Sequence, residues 1–262
     1  MNTADYLARL GVEPAAVDDH SVETLASIQR AHVTSVPFEN LAITGDLLAG
    51  EDTPGVSLSL PALYEKIVER ERGGFCYELN GLFGWLLAEL GFDVERIPAA
   101  VLDEEGQVGT PANHHTLVVD LGRRYVVDVG VAVPTIRQPL PLDGTVREDG
   151  AGVAWRVVDS DRPDADYCTE FRSPGAEWER RFVFRDSPVD LDYFAASCRY
   201  LSTAPESSFT SGPFATIATD AGHLKLKPET LTVIEGGETR EQSLDDGEFP
   251  DVLEREFGIE SA

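Results

Sequence analysis

The chain has 262 residues, 42% hydrophobic and 26% charged, enough for a folded protein of two or three small layered units. It carries 47 acidic and 21 basic residues, a formal net charge of −26, and only three lysines: Lys66, Lys225 and Lys227. That balance excludes a broad nucleic-acid-binding surface, and no apolar run approaches the roughly 20 residues of a membrane span.

The first segment reads as helical. In "TADYLARLG", Thr3 is a candidate N-cap and Gly11 a stop. Ser21 opens a second helix with Leu25, Ile28 and His32 at helical spacing, and Pro37 ends it. Leu63, Ile67 and Arg70 mark a third, ending at Gly73. "CYELNGLFGWLLAELG" then predicts a buried helix, apolar at Leu79, Leu82, Phe83, Leu86, Leu87 and Leu90 and stopped by Gly91.

From residue 94 the period changes to two. Strands are expected over 94–103, 114–122, 123–131, 153–160 and 177–185, with Gly122 as the turn between the second and third. Several short antiparallel strands in succession suggest a barrel or sandwich layer. Residues 190–202 return to a helical pattern. Residues 222–244 offer two or three strands with a hairpin turn at Gly236-Gly237, and 248–259 a closing helix. The changes of period divide the chain into 1–93, 94–199 and 200–262.

One stretch raises a chemical question. "RGGFCYELN", residues 72–80, sets Cys76 after two glycines and at the first turn of a helix. Unpaired N–H groups and the helix dipole favour an anion there, and a nearby histidine would pull the thiol pKa down further. Gly73 and Gly74 would let the backbone turn sharply and leave room for a substrate. Asp128, flanked by Val126, Val127 and Val129 in a strand, needs a partner to be tolerated. A histidine on a neighbouring strand would supply it, with the aspartate fixing the ring and stabilising its cation. His114 and His115 are rivals, because adjacent strand residues point to opposite faces. His115 is favoured, since it begins the alternating face of Leu117 and Val119; His114 is then read as a satisfied surface histidine. The expected relay is Cys76–His115–Asp128, with the thiolate standing in the resting protein. A metal site ranks well below it, as no spacing matches a zinc pattern. Cys168 and Cys198 read as passive thiols. Three unpaired cysteines and no secretory leader point to a reducing cytoplasm.

"RGGFCYELN" resembles the Arg-Gly-Gly-x-Cys-x-Glu-x-Asn signature of the arylamine N-acetyltransferases. "VPFENL" at 36–41 resembles the N-terminal motif of that family, "HTLVV" and "DVG" its histidine and aspartate segments, and "RYLSTAPESSFT" at 199–210 its later Ser-Thr-x-Pro-x-Ser-x-Phe stretch. The resemblance spans about residues 30 to 215. It implies an α+β fold on a papain-like cysteine scaffold: N-terminal helical bundle (1–93), central β-barrel (94–199) and C-terminal α/β lid (200–262). It implies the triad Cys76, His115 and Asp128, and acetyl-coenzyme A as the acyl donor that acylates Cys76 without a metal. An arylamine, arylhydrazine or hydroxylamine then takes the acyl group in a second, ping-pong step. Phe38, Phe75, Val101 and Val131 would line the acceptor pocket, and Gly130 would lie by coenzyme A. Where the family commonly reads Asp-Val-Gly-Phe-Gly this chain reads "DVGVA", so Val131 and Ala132 depart from the pattern near acceptor and cofactor.

"HLKLK" sets His223, Lys225 and Lys227 on one strand face. They could hold the phosphates of coenzyme A, but an edge strand blunted by lysine is the preferred reading. The dispersed acids and scarce lysines suggest a surface adapted to high salt, which screens the self-repulsion, and a halophilic archaeon as its source. The expected partners are a small-molecule acyl acceptor and an acyl-coenzyme A, without nucleic acid or membrane; a homo-oligomer is left open. A thiol hydrolase of thioesters or amides, with water in place of the amine, is the alternative, and a non-catalytic binding protein the weakest reading.

Overall fold

The structure is a computed structural model and describes residues 1–44 and 55–260. Helix α1 (Thr3–Arg9) is capped one residue earlier than expected, by Asn2, whose side chain accepts the Ala4 N–H at 2.9 Å. Helix α2 (Val22–Ser35) is capped by Ser21, as its spacing implied. Strand β1 (Phe38–Glu39) and helix α3 (Leu41–Thr44) follow. Helix α4 (Leu60–Tyr64) continues as a π-helical turn over Glu65–Glu69. Helix α5 (Cys76–Glu89) is apolar almost all round, with Leu79, Leu82, Phe83, Leu86 and Leu87 fully buried.

Eight strands form the central sheet: β2 (Asp93–Val101), β3 (His114–Asp120), β4 (Arg124–Val127), β5 (Leu140–Pro141), β6 (Arg147–Glu148), β7 (Ala154–Asp159), β8 (Tyr167–Arg172) and β9 (Glu179–Phe184). Their order is β5-β4-β3-β2-β9-β8-β7-β6. The Gly144 N–H donates to the Val157 carbonyl at 2.8 Å, drawing the β5 end toward β7 and nearly closing a barrel. Strand β3 is buried on both faces. Leu117 and Val119 pack against α5, while Val118 faces the barrel interior with Val126, Trp155, Phe182 and Phe184.

Helix α6 (Ala195–Thr203) leads to β10 (Ala215–Ala218), β11 (Gly222–Lys227), β12 (Thr230–Glu235) and β13 (Glu238–Ser243), and the chain ends in α7 (Phe249–Phe257). The β12–β13 hairpin turns at Gly236-Gly237, both with positive φ, which a two-residue turn requires. Helix α7 lays Phe249, Val252, Leu253 and Phe257 on Leu226 and Leu231 of this sheet.

One expectation is corrected. Strand β11 is no edge: the order β1-β10-β11-β12-β13 places it inside the sheet, so its lysines do not blunt an edge. Strand β1 pairs with β10, Phe38 opposite Thr216, which stitches the N-terminal helices to the C-terminal sheet. The division at 199/200 falls within α6. Among the described residues, no helix is long and apolar enough to cross a membrane.

Candidate active site

Cys76 is the first residue of α5, and its helix start is fixed from two sides. The Glu78 carboxylate turns back to accept the Phe75 N–H at 3.1 Å, satisfying an otherwise orphaned donor. Its other oxygen takes Lys66 Nζ at 2.8 Å, and Lys66 also lies 3.5 Å from Glu39. The preceding glycines lie flush against β1: the Glu39 N–H donates to the Gly74 carbonyl at 2.9 Å. A Cβ on Gly73 would sit 2.1 Å from the Pro37 carbonyl oxygen. The space these glycines leave is therefore filled by the protein's own chain, not by substrate.

The expected pairing of Asp128 with His115 is not found. His114 Nε2 lies 2.7 Å from Asp128 Oδ2, both groups almost wholly buried. His115 turns the other way, toward α5, and stacks on Phe194 at 4.3 Å between centroids, with neither ring nitrogen hydrogen-bonded to a side chain among the described residues. The hairpin register explains the choice. Strands β3 and β4 pair Leu117 with Val127 and Val118 with Val126. Asp128 therefore continues on the face of Thr116 and His114, while His115 shares the opposite face with Leu117.

Asp128 is held by more than the ring. Its Oδ1 accepts from Asn80 Nδ2 at 2.9 Å and from the Gly130 N–H at 2.8 Å. Burial pushes this carboxyl up, but the charge and hydrogen bond of His114 and the Asn80 bond outweigh it and hold it below the usual carboxylate range. Asn80 also donates to the His115 carbonyl and accepts the Val129 N–H at 2.9 Å. One turn along α5 from Cys76, it fastens the helix to β3 and to the end of β4. Its function was missed; its signal was the last letter of "RGGFCYELN". From α2, Gln29 reaches the Asp128 carbonyl at 3.2 Å.

Burial, and then Cys198 and Asp128, push the Cys76 thiol well up, against the backbone N–H groups of Tyr77 and His115. The helix terminus alone thus does not make the expected thiolate. A sulfur anion here needs a cation beside it; His114, held by Asp128, lines the same cavity.

Cys76 and His114 open together onto a cavity of about 640 Å³. Phe38, Val101, Gly130, Val131, Lys225 and Lys227 line it, as does Ala132. Phe75 does not. Fully buried, it packs edge-on against Phe209 at 5.4 Å, and Phe209 rather than Phe75 faces the cavity. A Cβ at Gly130 would meet Asn80 Nδ2 at 2.6 Å and Cys76 Cα at 2.7 Å, so only glycine lets this loop approach the thiol. His223 leaves the lysine pair: it is buried and accepts the Thr135 N–H at 3.0 Å. The segment 209–214 forms another wall, pinned by Asn40 of "VPFENL", which donates to the Phe209 and Gly212 carbonyls at 2.8 Å and accepts the Phe214 N–H at 2.7 Å. Among the described residues, no cluster of His, Cys, Asp and Glu is arranged to hold a metal ion.

A family model described as N-acetyltransferase matches residues 21–262. The arylamine N-acetyltransferase of Mycolicibacterium smegmatis is 33% identical over 269 residues, covering 99% of this chain and 92% of that protein. The (BACCR)NAT3 arylamine N-acetyltransferase from Bacillus cereus, a structure with a unique Cys-His-Glu catalytic triad, superposes with a TM-score of 0.87 at 27% identity, over 99% of this chain and 100% of that one. The Mycobacterium marinum arylamine N-acetyltransferase in complex with CoA gives a TM-score of 0.85 at 29% identity, over 98% and 93%. Matched over nearly its whole length, with Cys76 and His114 lining one cavity and Asp128 against the His114 ring, the chain belongs to the arylamine N-acetyltransferase family of acyltransferases.

Proposed function

We propose that the protein transfers an acetyl group from acetyl-coenzyme A to an arylamine, arylhydrazine or similar amine through an acyl-Cys76 intermediate, with His114 as base and Asp128 as its orienting carboxylate. The observation that carries this reading is the buried 2.7 Å contact between His114 and Asp128 beside the cavity that Cys76 lines. Asp128 engages Nε2, so Nδ1 is the nitrogen left to take the thiol proton. Cys76 Sγ then attacks the thioester carbonyl carbon, the new C–S bond forms as the old one breaks, and His114 returns the proton to the departing thiol. The Tyr77 N–H at the start of α5 stands where the tetrahedral oxyanion develops. In the second half, the amine nitrogen attacks the acyl carbon, its proton passes to His114 and on to Sγ, and the amide leaves.

The residues present suit coenzyme A. Two of the three lysines in a chain of net charge −26 line this one cavity, on the wall opposite the barrel, where they can meet phosphate as point charges. The Mycobacterium marinum relative, solved with CoA, supports the same donor. Replacing Lys225 and Lys227 together with glutamate is expected to raise KM for acetyl-coenzyme A at least about tenfold, leaving the maximal acylation rate close to wild type; an unchanged KM removes the lysines from the donor site. We further place the enzyme in the reducing, high-salt cytoplasm of a halophilic archaeon, on its three buried free cysteines and its acidic composition.

Intact-protein mass spectrometry tests the core of the reading. Mixing with acetyl-coenzyme A is expected to add one acetyl group, and the Cys76→Ser variant to gain none. Thiol release that accelerates on adding an aromatic amine marks a transferase; release at full rate without one marks the thiol hydrolase and overturns the reading.

A further inference from the structure

The segment between β4 and β5, residues 128–139, begins in the active site and ends against the second sheet. Asp128 meets the His114 ring, Gly130 lies against Cys76, and Val131 lines the cavity. Gln29 braces the two halves of the segment, donating to the Asp128 carbonyl at 3.2 Å and to the Ile136 carbonyl at 2.9 Å. The two neighbours of Ile136 grip the start of β11. The Thr135 N–H donates to His223 Nε2 at 3.0 Å. Arg137 Nη2 donates to the Gly222 carbonyl, lies 3.4 Å from the Thr219 carbonyl and 3.3 Å from the same His223 nitrogen. An arginine only donates, so Nε2 of a neutral ring accepts from both. Arg137 is steadied in turn by Asp149 at 2.7 Å, both groups almost wholly buried, and Asp149 accepts the Ala151 and Val153 N–H groups at 3.0 Å each.

This grip falls on the strand that carries the lysines. His223, Lys225 and Lys227 alternate onto one face of β11, the ring buried at the barrel and the two lysines lining the cavity. We infer that His223 and Arg137 are positioning residues for the acyl donor: they lock β11 to the barrel, so that Lys225 and Lys227 stand where the phosphates of coenzyme A fall when its thioester carbon reaches Cys76. The inference rests on the acetyl-transfer reading above. A donor held at both ends needs its two supports at a fixed separation. Here Cys76 opens α5 beside the 128–139 segment, while the lysines belong to the second sheet. A buried ion pair is a poor device for stability alone, because apolar side chains of the same volume serve as well or better. Directed hydrogen bonds add a single placement of β11, which apolar contact does not impose.

The experiment compares acetyl-coenzyme A with S-acetyl-N-acetylcysteamine, a short thioester with the same reacting end and no phosphates, in the wild type, His223→Leu, His223→Gln and Arg137→Lys. Thiol release is measured with an aromatic amine present, and acylation of Cys76 by mass. The wild type is expected to favour acetyl-coenzyme A by at least about tenfold in kcat/KM. H223L should lose about 3–30-fold of that preference through KM for acetyl-coenzyme A, while the short donor, which reports a folded and competent thiol, is used as before. H223Q, whose amide oxygen can accept the Thr135 N–H, should keep the preference. R137K retains the charge opposite Asp149 but not the second limb to Gly222, and should lose part of it. Added to K225E/K227E, H223L should cost nothing further, since it acts through the same contact. Equal losses with both donors in H223L and R137K would assign the pair to the fold alone and overturn the inference, as would an unchanged preference in both. A wild type acylated equally well by both donors overturns it too and leaves the acyl-Cys76 chemistry standing; a wild type acylated by neither overturns the reading beneath it as well.

Discussion

Replacing His114 with alanine is expected to lower acetyl transfer by at least about 10³-fold and to abolish rapid acylation of Cys76. The ring has two tasks that no neighbour can assume. It accepts the proton of a thiol that burial holds in its neutral form, and it shares the resulting charge with Asp128 at 2.7 Å. His115→Phe is the companion variant. Phenylalanine keeps the stack on Phe194 and removes two buried ring nitrogens that find no side-chain hydrogen-bond partner among the described residues, so activity should stay within about threefold of wild type and stability should hold or rise. A stopped assay of thiol release from acetyl-coenzyme A with an amine present separates the two. An active H114A beside an inactive H115F would return the relay to His115 and require the β3–β4 register to be wrong.

The histidine choice shows how far the sequence could be read. Choosing the ring by the alternating apolar face assumes that one face of β3 is core and the other surface, but residues 114–119 are all buried. With apolar groups on both faces, periodicity names neither. A better signal lay in the turn. A hairpin centred on Gly122 pairs residues whose numbers sum to an even total, as Asp120 opposite Arg124 does, so Asp128 shares a face with even-numbered positions. The helices were legible because each carried a cap or a glycine stop and a long apolar stripe; α5 is the clearest case. Strand β8 was not, since Cys168 and Thr169 are both buried in succession, which breaks the alternation that would mark one face. Strand β10, "ATIA", is too short and weakly β-forming to announce itself. The cavity wall at 209–214 depends on Asn40, roughly 170 positions away, through bonds that no local pattern contains.

Acidification from pH 7 to 5.5 is expected to cost the folded protein about 4 kcal/mol of stability, before its carboxylates begin to titrate. Three of the five histidines are buried and held neutral, each pushed down to about 3. Burial is the first cause in every case. Arg9 adds to it at His32, Arg96 and His114 at His115, and Arg137 at His223. The sign follows from proton counts. Above the ordinary histidine value of about 6.5, both states hold these rings neutral and pH does not matter. Below it, the unfolded chain takes up protons that the folded core refuses, at about 1 kcal/mol per pH unit for each ring, and the loss continues until the folded value is reached. His32 is fixed in that neutral form by the Tyr6 hydroxyl at 2.9 Å, and His223 by the Thr135 N–H it accepts. Urea unfolding at the two pH values, in molar potassium chloride to screen the net charge of −26, measures the difference. H115F removes one of the three rings without disturbing its stack and should reduce the pH dependence by about a third. A stability that is flat between pH 7 and 5.5 would mean that these rings already bind protons in the folded state, each with an acceptor or an anion at its side.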